Sequence, residues 1–172
     1  MLISKEAIEA KTKELAERIS RDYKGKDLLV VGVLKGSVIF ASELIKNITI
    51  PCEIDFMAVS SYGSSSETTG VVRILKDLDS EISGKHILIV EDIVDSGVTL
   101  SYLLNYLKTR NASSVEIASL LTKPSRRKVD IDCKYIGFET PYEFLVGYGL
   151  DYAEKYRNLP FIGILKREVY EK

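Results

Sequence analysis

The sequence holds one histidine, two cysteines and no tryptophan. With His86 alone, histidine triads and two-histidine metal sites are excluded. Cys52 and Cys133 stand far apart and match no zinc spacing. Without an export-type leader they read as buried thiols rather than as a bridge. Long apolar runs are missing too: Leu28-Leu29-Val30-Val31 and Ile87–Val90 fall well short of the ~20 residues that a membrane span needs. Met1-Leu2-Ile3-Ser4-Lys5-Glu6 meets charge at once, with no secretory h-region, so the expected location is cytoplasmic with no membrane partner. Charge of one sign is also lacking, since 24 basic residues face 25 acidic ones for a net charge of −1. An overall basic field for gripping nucleic acid is therefore absent. What is present is ordinary: 172 residues, 45% hydrophobic and 28% charged, enough for one soluble domain, 1–172, that buries about 70% of its extended-state surface without a staple.

Ser4 is placed as an N-cap, with Ile3 and Ile8 as a hydrophobic staple. Ile8, Leu15 and Ile19 mark one face of a helix ending before Gly25. Leu28–Leu34 is a Val-rich run without alternation, expected for a strand covered on both faces. Lys35-Gly36-Ser37 breaks it, and Val38–Lys46 reads as the next helix. Further strands are expected at Ile54–Ala58, Val71–Leu75, Ile87–Val90, Val115–Leu121 and Tyr135–Phe138, with a helix near Leu100–Thr109. Buried strands alternating with helices predict an α/β domain with a mostly parallel central sheet flanked by helices. The segment from Ser60 to Gly70, polar except for Tyr62, cannot bury enough surface to fix a conformation. It reads as a hairpin tip or as a lid.

In a parallel α/β sheet, ligands bind beyond the carboxyl ends of the strands. After Ile87–Val90 come Glu91 and Asp92, then Asp95, then Ser96-Gly97-Val98-Thr99 opening a helix. Backbone N–H groups there, with the two hydroxyls, would make an anion cradle, and Gly97 lets the backbone approach a phosphate closely. Carboxylates beside a phosphate site are compatible if the ligand is a phosphorylated sugar chelating Mg²⁺. Glu91 and Asp92 could then take ribose hydroxyls and sit around the cation. They would also favour a developing sugar cation. The alternative is an acidic N-cap, with Asp95 simply capping the helix.

This segment resembles the signature of type I phosphoribosyltransferases. Over nearly its whole length the chain is similar to their bacterial hypoxanthine-guanine branch. The matching pieces are Val33–Ser37, Ser60–Gly63, Ile74–Leu78, Leu121–Arg127, Gly147–Tyr152 and Tyr156–Pro160. The resemblance implies a type I fold with a small hood at about 139–172, a lid at about 60–70 that includes Ser61 and Tyr62, and transfer of phosphoribosyl from phosphoribosyl diphosphate to a 6-oxopurine. It implies Mg²⁺ at Glu91, Asp92 and Asp151, and a homodimer or homotetramer. Asp95 would be the general acid/base, and Asp95, Ser96, Gly97, Val98 and Thr99 would hold the 5′-phosphate. Lys35, Gly36 and Arg157 would meet the diphosphate, and in relatives the peptide before that lysine can be cis.

Purine choice would rest on Lys123, because an ammonium has donors only and suits a carbonyl O6 rather than adenine's amino group. Phe144 would stack on the purine, Leu145 would offer backbone groups, and Asp151 would help at the base edge. Arg126–Lys128 reads as a solvated turn, and Tyr148, Tyr152 and Tyr156 as core. Two rivals stay open: a relative acting on xanthine or uracil, and a fold relative that binds RNA or DNA as a regulator. Other nucleotide schemes fail on spacing. There is no Gly-x-x-x-x-Gly-Lys-Ser/Thr, and Gly147-Tyr148-Gly149 lacks a third glycine.

Overall fold

In a computed structural model the described residues are 1–61 and 72–171. The elements are α1 (Lys5–Asp22), β1 (Leu28–Leu34), α2 (Val38–Asn47), β2 (Glu53–Ser61), β3 (Val72–Lys76), β4 (His86–Val94), α3 (Val98–Lys108), β5 (Ser114–Thr122), a 3-10 turn at Pro124–Arg126, β6 (Tyr135–Glu139), β7 (Leu145–Val146), β8 (Gly163–Ile164) and α4 (Arg167–Tyr170). The expected lid lies outside the described residues, apart from Ser60 and Ser61 at the end of β2; Tyr62 is among those not described.

Six strands form the main sheet in the order β3-β2-β1-β4-β5-β6. All neighbours run parallel except β3, which returns antiparallel to β2 with a register shift at Ala58/Val59. The α/β architecture and mostly parallel sheet match the expectation. The antiparallel edge was not foreseen, since alternation within a strand says nothing of its direction.

The Val-rich runs are apolar on both sides because helices cover both faces. Leu28 and Val30 of β1, with Leu88 and Val90 of β4, join Ile8, Leu15 and Ile19 of α1 and Phe40 and Leu44 of α2 in one core. Leu29, Val31, Ile87 and Ile89 point the other way, to Leu100, Leu103 and Leu107 of α3. Ser4 caps α1 as expected, its Oγ accepting from Ala7 N at 3.1 Å. Ile3 packs on the core that contains Ile8 and exchanges backbone hydrogen bonds with Ile162, at 3.1 and 3.0 Å. Cys52 and Cys133 are free thiols. His86 Nδ1 meets Ser114 Oγ at 2.7 Å, a structural contact beside the Tyr23 ring. Among the described residues no helix is long and apolar enough to cross a membrane.

Strand β4 runs further than expected. Ile93 and Val94 continue the apolar pattern and pair with Leu121 and Thr122 of β5, so Glu91 and Asp92 lie inside the strand rather than beyond it. The sheet order reverses between β1 and β4: from β1 the chain goes out to β2 and β3, and from β4 to β5 and β6. A crevice opens at such a switch point, outside the strand ends.

Candidate active site

Three segments converge on this switch point. The first leaves β1 through Lys35 and Gly36, and the Leu34–Lys35 peptide is cis. Gly36 packs so tightly against the Asp92 carboxylate that a β-carbon would overlap it, and a β-carbon on Gly149 would overlap the Gly36 carbonyl. Gly149 has φ +101°, where side chains are strained. Two glycines thus let the loop after β1 close on the Asp92 carboxylate of β4 and touch the hood backbone to backbone.

The second segment is the end of β4. Glu91 is buried, and burial, with Asp92 beside it, pushes its carboxyl well above the usual range. Asp92 is also raised, chiefly by burial, although hydrogen bonds to it and the Arg157 charge pull the other way. Its Oδ1 accepts from Ile93 N at 2.7 Å. At the start of α3, Gly97 takes φ +85° and no side chain caps the helix, which disposes of Asp95 as its N-cap. Ser96 Oγ accepts from Val98 N at 3.3 Å, and the first helical bond runs from Ser101 N to Gly97 O. The turn Ser96–Thr99 therefore keeps helix-start N–H groups without helical partners, as an anion cradle requires.

The third segment is the hood. Strands β7 and β8 pair antiparallel, and the turns between them carry Asp151, Glu154 and Arg157. Arg157 Nη1 donates to Gly149 O at 2.6 Å. Its Nη2 lies 3.3 Å from Glu154 Oε1 and 3.5 Å from Asp151 Oδ1. Glu154 Oε2 in turn meets Lys35 Nζ at 3.2 Å. One carboxylate thus bridges the two cations expected at a diphosphate. Arg157 Nε is buried with no hydrogen-bond partner among the described residues. Glu154 sits in a tight turn, Tyr152 to Lys155, with positive φ at Ala153 and Glu154. Nothing local marked it as a site residue.

Beside these lies a cavity of about 560 Å³ lined by Ile93, Asp95, Lys123, Phe144, Leu145, Leu150 and Asp151, and by Arg126, Tyr142, Glu143, Arg167, Tyr170 and Glu171. Lys123 is buried and its Nζ donates to Glu143 O at 2.7 Å. Burial lowers its pKa, while Asp95 and Glu143 oppose that. Phe144 stays 37% exposed, a ring available for stacking. Leu145 is tied into β7 opposite Ile164. Asp151 Oδ2 accepts from Glu154 N at 2.9 Å.

Arg126 and Lys128 are exposed, as a solvated turn requires, but Arg126 and Arg127 also turn inward. Pro124 starts a 3-10 turn that brings Arg126 Nε within 2.7 Å of Asp95 Oδ1. This is a charge contact without hydrogen-bond alignment, for that buried oxygen accepts no hydrogen bond. Arg127 reaches Thr122 Oγ1 at 2.7 Å and Asp95 O at 3.4 Å. The tyrosines divide: Tyr148 is buried, Tyr152 edges against Phe144, and Tyr156 is 37% exposed and so not core. Arg126, Glu154, Arg167 and Tyr170 are the site residues that sequence reasoning missed.

A mostly parallel α/β sheet whose order reverses at a crevice lined by helix-start N–H groups, two cations and an exposed aromatic ring is built as α/β enzymes of phosphorylated ligands are. The chain belongs to the phosphoribosyl transferase family: the model of the phosphoribosyl transferase domain matches residues 2–153. It is similar to the hypoxanthine-guanine phosphoribosyltransferase of Bacillus subtilis, 54% identical over 99% of this chain and 95% of that one. The protein of the same name from Streptococcus thermophilus is 53% identical over 100% of this chain and 96% of its own. A crystal structure of a hypoxanthine phosphoribosyltransferase from Staphylococcus aureus superposes with a TM-score of 0.98 at 52% identity, covering 100% of this chain and 94% of that one.

Proposed function

We propose that this chain is a purine-salvage transferase that joins hypoxanthine or guanine to 5-phosphoribosyl 1-diphosphate, giving IMP or GMP and diphosphate. One observation carries the reading. Asp95, Lys123 and Phe144 line one cavity, and Lys35 and Arg157 converge on a single carboxylate next to it. In the reaction the sugar C1–O bond to diphosphate breaks and a C1–N9 bond to the base forms. The proton lost from the base passes to Asp95.

Each residue has a task that its surroundings suit. Ser96 to Thr99 hold the 5′-phosphate on helix-start N–H groups. Lys35, the Gly36 backbone and Arg157 take up the charge that collects on the leaving diphosphate, with the guanidinium fork matched to paired oxygens. Lys123 donates to O6 and has no acceptor for an exocyclic amine. Phe144 stacks on the base, Leu145 offers backbone groups, and Asp151 stands at the base edge.

Among the described residues no three ligating side chains cluster as a metal cage. Glu91, buried, and Asp92, half-buried, with Asp151, suit instead a cation held mostly by substrate oxygens and water, as Mg²⁺ prefers. Mg²⁺ would supply charge neutralisation of the diphosphate. The enzyme works in the cytoplasm as a homodimer or homotetramer.

The test is Mg²⁺-dependent consumption of hypoxanthine, guanine, xanthine, adenine and uracil with phosphoribosyl diphosphate. Turnover of hypoxanthine and guanine is expected. Turnover of uracil or adenine without the 6-oxopurines overturns the reading.

A further inference from the structure

Phe144 does not face its cavity alone. The Tyr170 ring lies against one face of it, with centroids 5.1 Å apart and planes at 29°. Tyr152 meets its edge at 5.7 Å and 84°. With one face and one edge occupied, Phe144 still shows 37% of its surface. Tyr170 lines the same cavity as Phe144, Lys123 and Asp95.

Tyr170 belongs to α4, a helix of four residues. A helix this short does not hold itself in water, so its position depends on what it touches. Tyr152 Oη donates to Val169 O at 3.3 Å, and the chain enters α4 from Leu165, whose N–H donates to Phe144 O at 2.8 Å. The stack on Phe144 is thus one corner of a closed arrangement of Phe144, Tyr152 and Tyr170. The backbone bond fixes where the Phe144 side chain starts. The ring contacts with Tyr170 and Tyr152 bear on its plane.

We propose that Tyr170 is a positioning residue for the base: by covering one face of Phe144 it holds that ring in the plane at which the opposite face stacks on a bicyclic purine. This rests on the base site set out above. Held in advance, the ring loses no torsional freedom when the base arrives, and the gain appears in base affinity alone. Of the phosphoribosyl diphosphate contacts, Lys35, Gly36 and Ser96–Thr99 lie on other segments.

The experiment compares the full-length wild type with Tyr170→Phe, Tyr170→Leu and Tyr170→Ala, measuring KM for hypoxanthine and for phosphoribosyl diphosphate separately, with Tm for each protein. Leu keeps apolar bulk without a plane, and Phe keeps the plane. Leu and Ala are expected to raise KM for hypoxanthine about 3–10-fold, the scale of an aromatic pair's geometry. KM for phosphoribosyl diphosphate should stay within about twofold, and Phe should restore the wild-type value. The inference is overturned if Leu performs like Phe, if both KM values move together, or if Ala lowers KM for hypoxanthine because Tyr170 occupies the base's own place. Normal wild-type turnover with unaffected variants removes this inference alone. A wild type that turns over no 6-oxopurine removes the parent reading with it.

Discussion

Replacing Gly149 by Ala tests how the hood is fastened to the loop after β1. The cost has two parts. Holding an L side chain at φ +101° costs about 1–2 kcal/mol. Forcing a methyl group against the Gly36 carbonyl adds the usual overpacking penalty of about 1–3 kcal/mol. Gly84 separates the two: it has φ +79° with nothing within 4 Å of a built β-carbon. Gly84→Ala therefore carries the conformational part alone. For a chain of this size each kcal/mol moves Tm by about 2–4 °C, so Gly84→Ala should lower Tm by roughly 2–8 °C and Gly149→Ala by roughly 4–20 °C. The carbonyl that must retreat belongs to the loop carrying Lys35, so Gly149→Ala should also raise KM for phosphoribosyl diphosphate, while Gly84→Ala should not. Thermal melts and initial rates at saturating hypoxanthine read both effects. Equal Tm losses with unchanged KM in both variants would refute the backbone contact between hood and loop.

Other substitutions reach the remaining parts of the site. Asp95→Asn should lower kcat about 10²–10⁴-fold with a normal melt; unchanged turnover removes Asp95 from the proton transfer. Lys123→Met keeps the stem and deletes the donors, and should cost about 10–100-fold in kcat/KM for hypoxanthine; a variant that keeps full activity on hypoxanthine denies Lys123 the O6 contact. Glu154→Ala frees Lys35 and Arg157 from their internal carboxylate and should lower KM for phosphoribosyl diphosphate about 2–5-fold at low salt, less at high salt, whereas a rise would mean that Glu154 assists binding. Asp55 is away from the site. Burial alone would raise its carboxyl, but the N–H groups of Asp79 and Phe56 and the Lys76 ammonium outweigh it and hold the pKa below the ordinary value. A carboxyl lowered on folding stabilises above its unfolded pKa, about 3.9, and loses that contribution as pH falls through the folded value. Asp55→Asn should therefore reduce Tm at pH 7 and flatten its fall on acidification; parallel curves would contradict this.

How much of this was legible beforehand follows from what each element requires locally. Leu28–Leu34 and Ile87–Val90 announced themselves because a strand covered on both faces must be apolar without alternation. Their strand ends pointed to Lys35, Gly36 and Asp95, since a parallel sheet places its ligands there. The true end of β4 was hidden because two carboxylates looked like an exit from the strand, whereas pairing with β5 carries them inside it. Arg126 sat in a basic run that reads as solvated until a proline-started turn folds it back toward Asp95. Tyr170 was invisible for a related reason, since it reaches the site through packing between distant segments; Glu154 lies three residues from both Asp151 and Arg157, but its meeting with Lys35 depends on the hood folding over the loop after β1. Net charge said least, because a near-balance is compatible with carboxylates and cations gathered in one crevice.

If the proposed reaction is right, one crevice holds base, sugar phosphate and diphosphate together, and a crystal structure with GMP, diphosphate and Mg²⁺ reads all three at once. The purine is expected stacked on Phe144 with O6 about 3 Å from Lys123 Nζ, the 5′-phosphate on Ser96–Thr99, and diphosphate between Lys35 and Arg157 with Glu154 displaced. A nucleotide bound elsewhere, or diphosphate bound while Glu154 still bridges the two cations, would contradict it.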